Sequence, residues 1–163
     1  MRIGILSDTH DRLARTQAAV RLLRDAGAEA LIHCGDLTGP PIVAACAVLP
    51  AYFVFGNNDA DGVPELRQAM AAAGATCLGW SEEVILAGKR IAVAHGHMSY
   101  DIRRLLAARP DYLLTGHSHI PMDRQEGPTR RINPGALYRA SAYTVALLDL
   151  EKDKLQFHPV SSP

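Results

Sequence analysis

Arg2-Ile3-Gly4-Ile5-Leu6-Ser7-Asp8-Thr9-His10 is a short apolar run that breaks abruptly into metal-ligating side chains. A run of this length bounded by polar residues reads as a buried strand, and it is too short for the apolar segment of a signal peptide. The same switch recurs four times: Ala30-Leu31-Ile32-His33-Cys34 runs into Gly35-Asp36, and Tyr52-Phe53-Val54-Phe55 into Gly56-Asn57-Asn58-Asp59. Arg90-Ile91-Ala92-Val93-Ala94 runs into His95-Gly96-His97, and Tyr112-Leu113-Leu114-Thr115 into Gly116-His117-Ser118-His119. Between these runs lie segments with helical spacing at residues 16–25, 42–49 (behind Pro40-Pro41), 64–73 and 101–108. Strand–helix alternation of this kind predicts an α/β fold with largely parallel strands. Residues 83–86 with 90–94, and 143–150 with 154–160, read as antiparallel hairpins, so two mixed sheets packed face to face with helices outside are expected.

Composition narrows the functional classes. The chain has 163 residues, the size of one domain, expected to span 1–163. Hydrophobic residues make up 48% and charged residues 21%, which excludes disorder, collagen and coiled coil. Seventeen basic and seventeen acidic side chains give a formal net charge of zero, leaving no cationic excess for a long nucleic acid. No apolar stretch approaches the ~20 residues of a membrane helix. Cys34, Cys46 and Cys77 form no C-x-x-C pair and read as buried small hydrophobes, so a cytoplasmic location is expected.

In sheets with parallel strands, ligands gather at the carboxyl ends, so the five polar clusters should converge on one rim. The candidate ligands are Asp8, His10, Asp36, Asn57, His95, His117 and His119. Imidazole nitrogen with carboxylate or amide oxygen, and no thiolate, suits Mn²⁺ first, with Fe²⁺, Zn²⁺, Co²⁺ and Ni²⁺ as alternatives. Asp8 with His10, and His117 with His119, are two residues apart, a spacing at which extended backbone points both side chains to one side. One D-x-H or H-x-H alone is ordinarily a surface turn or a satisfied core histidine; it is the repetition on successive strand ends that carries information. Seven ligands exceed the needs of one tetrahedral ion, so two metal ions ~3.5–4 Å apart sharing a carboxylate are expected. His33, inside a strand, reads as structural, whereas Arg12 could reach a substrate phosphate or be a solvated helix-start residue. Trp80, Tyr100 and Tyr138 could stack a nucleotide or merely pack.

In this order, D-x-H, G-D, G-N-x-D, H-G-H and G-H-x-H resemble the calcineurin-like metallophosphoesterase superfamily, and Asn133-Pro134-Gly135 extends the likeness to its small single-domain bacterial and archaeal phosphodiesterases. The resemblance implies a four-layer α/β/β/α sandwich. It implies that Asp8, His10 and His119 bind one metal and Asn57, His95 and His117 the other, with Asp36 bridging. Many members carry G-N-H and use that histidine to protonate the leaving group or hold phosphoryl oxygens; here the position is Asn58. His97 is then the alternative group at the phosphoryl oxygens or behind a ligand. Ala136 stands where N-P-G is commonly followed by serine.

The expected activity is hydrolysis of small phosphodiesters by a metal-bridging hydroxide in line with the leaving group. A phosphomonoesterase or nucleotide pyrophosphatase on the same site is the alternative within the enzyme class. The alternative of another class is a protein-interaction scaffold like the metallophosphoesterase-like subunit of retromer, against which every ligand position here holds a metal-competent residue. A homo-oligomer is compatible with the sequence.

Overall fold

The computed structural model describes residues 1–161. β1 (Arg2–Leu6) buries Ile3 and Ile5 in one apolar layer and Leu6 in another, as the two-residue period of a strand requires. A strand covered on both faces belongs inside a sheet. β2 (Ala30–His33), β3 (Ala51–Phe53) and β4 (Thr76–Cys77) follow it in parallel pairing, while β10 (Thr144–Asp149) and β11 (Lys154–Pro159) extend the other side antiparallel. The first sheet thus runs β11-β10-β1-β2-β3-β4. The second comprises β5 (Ser81–Leu86), β6 (Lys89–Ala94), β7 (Tyr112–Leu114), β8 (Met122–Glu126) and β9 (Thr129–Asn133), in the order β5-β6-β7-β9-β8 with β6, β7 and β9 parallel.

Three apolar layers hold four structural ones together. α1 (Leu13–Asp25), α2 (Pro40–Cys46) and α3 (Val63–Ala72) bury Val20, Leu23, Ile42 and Met70 against Leu6, Leu31 and Phe53 of the first sheet. The sheets meet through Ile3, Ile5 and Ile32 on one side and Ile91, Val93, Leu114 and Ile132 on the other. α4 (Ser99–Ala107) seals the outside with Leu105 on Ala92, Ala94 and Leu113. The expected α/β/β/α sandwich is the fold. Among the described residues no helix is long and apolar enough to cross a membrane.

Three elements depart from the sequence reading. Half of the strand residues of the β8–β9 hairpin are charged, so it shows no apolar alternation; Arg130 with Asp123 and Arg131 with Glu126 pair across its strands instead, and Arg124 pairs with Glu126 along β8. The edge strand β4 has two residues, too few for any periodicity. α2 takes both prolines into its first turn and ends at Cys46, earlier than residue 49. At the end of the sandwich away from the carboxyl ends of β1 and β2, Tyr112 donates to Asp153 in the β10–β11 turn at 2.8 Å, and Arg130 donates to the same carboxylate at 2.6 Å. These bonds tie the second sheet to the first.

Gly4 sits where α1 crosses β1: a Cβ there would lie 2.6 Å from Leu31 Cδ2 and 2.9 Å from Leu23 Cδ1. Overpacking outweighs the better strand propensity of a branched residue, so Gly4→Val should destabilise the protein by about 1–3 kcal/mol, read as a lowered urea midpoint at unchanged slope.

Candidate metal centre

The loops after β1, β2 and β7 are fastened to one another at the strand ends. Asp8 donates its N–H to the Gly35 carbonyl at 3.0 Å, Thr9 and His10 donate theirs to the Asp36 carbonyl at 3.1 Å, and His117 donates its N–H to Asp8 Oδ2 at 3.0 Å. Neither D-x-H nor H-x-H is extended, contrary to the sequence expectation: Asp8 (φ 54°), His10 (φ 42°), Asp36 (φ 58°), His117 (φ 68°) and His119 (φ 60°) are all left-handed. An extended strand would carry each successive residue about 3.3 Å beyond the rim, so the chain turns back to bring both side chains of a pair to one place.

This geometry gathers five of the seven candidate ligands. Asp36 Oδ2 lies 3.4 Å from His10 Nε2 and 3.4 Å from His95 Nε2. Asp8 Oδ1 lies 3.1 Å from His119 Nε2 and 3.9 Å from His95 Nε2. Asp8, His10 and His119 form one group, and Asp8, Asp36 and His95 a second, whose ligand atoms are within 4.8 Å of one another. Asp8 Oδ1, His10 Nε2 and His95 Nε2 are buried without a hydrogen-bond partner, which is costly unless a cation completes them, and the nitrogen–oxygen donor set fits a borderline divalent ion. The His117 ring stands 5.1 Å from that of His95. Asn57 is exposed at the first position of a 3-10 helix, Asn57–Gly62.

Carbonyl oxygens orient two of the candidate ligands. Cys34 O lies 2.8 Å from His95 Nδ1 and Arg139 O lies 3.3 Å from His119 Nδ1; a carbonyl only accepts, so each Nδ1 carries the proton and each Nε2 lone pair faces the cluster. Burial works against charge on Asp36, but His95 and the Asn58 donors outweigh it and hold its carboxyl well below the usual range. Burial likewise opposes protonation of His95, yet Asp36 and Asp8 turn the balance and raise its proton affinity. His10 is lowered, chiefly by burial.

Asp59 is not among the candidate ligands. It is 1% exposed, and its carboxylate accepts the N–H groups of Gly56 (2.7 Å), Thr38 (2.8 Å) and Asp36 (2.9 Å), fixing the Asp36 backbone. The G-N-x-D spacing was the available signal. Asn58 turns its amide to Asp36 Oδ2 at 2.7 Å and its N–H to Oδ1 at 2.9 Å. Asn133 joins the N-P-G segment to the rim, donating to Gly116 O at 2.7 Å. His97 lies 5.5 Å from His95 and 6.2 Å from Trp80, ring to ring; burial, then His95 and His117, lower its proton affinity. Arg12 lies outside the ligand cluster, against Tyr138. Tyr100 is 64% exposed.

A family profile described as the calcineurin-like phosphoesterase superfamily domain matches residues 1–153. The chain belongs to that superfamily. This phosphoesterase is 27% identical over 157 residues to phosphodiesterase MJ0936 of Methanocaldococcus jannaschii, covering 93% of this chain and 95% of that one. It is 25% identical to phosphodiesterase YfcE of Escherichia coli strain K12 over 153 residues, 84% and 79% of the two chains. A solved structure described as a novel archaeal phosphodiesterase superposes with a TM-score of 0.89 at 25% identity, covering 98% of this chain and 100% of that one. A variant of Vps29 from Entamoeba histolytica shares the fold, with a TM-score of 0.69 at 18% identity over 99% and 100% of the two chains. The chain is accordingly a metal-dependent phosphoesterase.

His33 is structural, as expected: fully buried, it meets Thr9 Oγ1 at 3.1 Å through Nε2 and accepts the Gly35 N–H at 3.2 Å through Nδ1. Burial, reinforced by His95, pushes its pKa down to about 3 from 6.5. Below pH 6.5 the unfolded chain takes up a proton that folded His33 refuses, so its contribution is intact above pH 6.5 and is lost as pH falls toward 3. In the presence of chelator, urea unfolding should lose up to about 1.4 kcal/mol per pH unit from this group between pH 6 and 4, a slope that His33→Gln removes.

Proposed function

We propose that this phosphoesterase hydrolyses small phosphodiesters with two divalent ions, Mn²⁺ suiting the donors best. Asp8, His10 and His119 would hold one, Asn57, His95 and His117 the other, and Asp36 would bridge them. The observation that carries this reading is the position of Asp36 Oδ2, equally 3.4 Å from His10 Nε2 and His95 Nε2. Phosphodiesterase relatives along nearly the whole chain support the diester as substrate. The ions, when bound, would act as Lewis acids toward the phosphoryl oxygens and make a water acidic enough to attack.

The chain's own residues hold this arrangement in place. Asp59 fixes the backbone of Asp36 and Asn58 fixes its carboxylate, while the Cys34 and Arg139 carbonyls aim His95 and His119. An amide cannot deliver a proton, and that of Asn58 is engaged by Asp36. Burial, then His95 and His117, lower the proton affinity of His97, which disfavours the charged form that would hold a proton for the departing oxygen. The leaving group therefore departs largely on its own stability.

Two outcomes are expected. Protein loaded with Mn²⁺ should release p-nitrophenol from bis(p-nitrophenyl) phosphate and leave the aryl monoester; chelation should abolish this, and Asp36→Ala should lose about 10²-fold or more in kcat/KM with fewer than two ions bound by metal analysis. Inorganic phosphate as the first product, or undiminished metal binding by the variant, would reject the reading. Across aryl methyl phosphates of graded phenol pKa, kcat/KM should fall steeply as the phenol becomes less acidic. A flat dependence would assign the proton to His97.

A further inference from the structure

Tyr138 stands beside the ligand cluster, its ring 4.7 Å from that of His10. Two guanidinium groups lie against it: Arg12 at 4.7 Å from the ring centroid and Arg139 at 5.0 Å. They come from distant parts of the chain, one just ahead of α1 and one after the N-P-G segment. Arg90, Arg124, Arg130 and Arg131 in the second sheet are each paired with an acid; among the described residues Arg12 and Arg139 are in no such pair. Asp11, the acid next to Arg12, lays its carboxylate against Gly39 ahead of α2.

Two like charges on one ring repel, and stacking of two exposed guanidinium groups on a half-buried tyrosine returns only about 0.5–1 kcal/mol each. Arg139 is also left-handed, at φ 43°, a conformation a long side chain adopts at a cost. The same backbone supplies the carbonyl facing His119 Nδ1, so the turn that aims this candidate ligand also sets the second guanidinium against the ring that holds the first. Planar guanidinium groups bind phosphate through paired N–H donors.

We propose that Arg12 and Arg139, held on Tyr138, form a subsite for a second phosphoryl group of the substrate, next to the one that is cleaved. This rests on the phosphodiesterase reading and deepens it: the favoured substrates are phosphodiesters whose retained arm bears a further phosphate, the chemistry of short oligonucleotides. The neutral net charge keeps the preference to one neighbouring phosphate and not to a long polyanion.

The test compares the p-nitrophenyl ester of thymidine 5′-phosphate with the same ester phosphorylated at its 3′ oxygen, using Mn²⁺-loaded protein. The 3′-phosphorylated ester should have the higher kcat/KM by about tenfold or more, mainly through KM, and added salt should shrink the ratio. Arg12→Gln with Arg139→Gln, which keeps the carbonyl that His119 uses, should bring the ratio to near one. Equal kcat/KM for the two esters in the unaltered protein would overturn the subsite, and so would variants that slow both esters alike, since the arginines would then serve the cleaved phosphate. Failure to cleave either ester or bis(p-nitrophenyl) phosphate would instead reject the phosphodiesterase reading itself.

Discussion

Asp36 is the residue on which the geometry of the rim depends. Its carbonyl receives two N–H groups from the loop after β1, its N–H goes to Asp59 beyond β3, and its carboxylate is held by Asn58 while facing His10 and His95. One residue thus fixes three loops by backbone bonds and joins two histidines by its side chain. A carboxylate so placed is over-determined by its surroundings, which is how an anion is kept buried and aimed before any cation arrives.

That arrangement depends on strain and on missing side chains. Five proposed ligands hold left-handed backbone, at roughly 1–2 kcal/mol each for residues with a Cβ, and they do so on loops only a few residues beyond a fully packed sandwich. Gly35, Gly56 and Gly116, beside three of the clusters, have a steric reason. A Cβ on Gly56 would strike the Asp36 carboxylate, and one on Gly116 would strike Ser7. Loops that touch this closely leave no room for alanine.

The layers were legible because burial imposes period: Ile3 and Ile5 against Gly4 and Leu6, and Ile91 and Val93 against Ala92 and Ala94, sort by face without further information. The candidate ligands stood out for the same reason, since imidazole and carboxylate directly after such runs have little structural use in that number. The backbone at the ligands was not. Two-residue spacing allows an extended pair or a turned-back one, and only contacts between loops distant in sequence, such as His117 N–H on Asp8 Oδ2, decide between them. The β8–β9 hairpin was equally hidden, because ion pairs between charged residues leave no periodic trace. Asp59 was visible as a letter in a motif and invisible as a function, for its three bonds all go to main-chain N–H groups.

The cluster draws Asp8, His10 and Asp36 from the first sheet and His95 and His119 from the second, across a core of purely apolar contacts. Neither sheet alone contains a complete set of donors, so neither could nucleate the site during folding. An ion that binds only the docked pair adds its whole binding free energy to the step in which the sheets associate and nothing to the formation of either. The hydrogen bonds of Tyr112 and Arg130 to Asp153 fasten the opposite end. Metal loading would therefore act on the cooperativity of the domain as well as on its stability: without ions the sheets are joined by their apolar faces, the clasp at Asp153 and rim hydrogen bonds such as His117 N–H to Asp8 and His95 to the Cys34 carbonyl, and with ions bound they would separate only with loss of the metals as well.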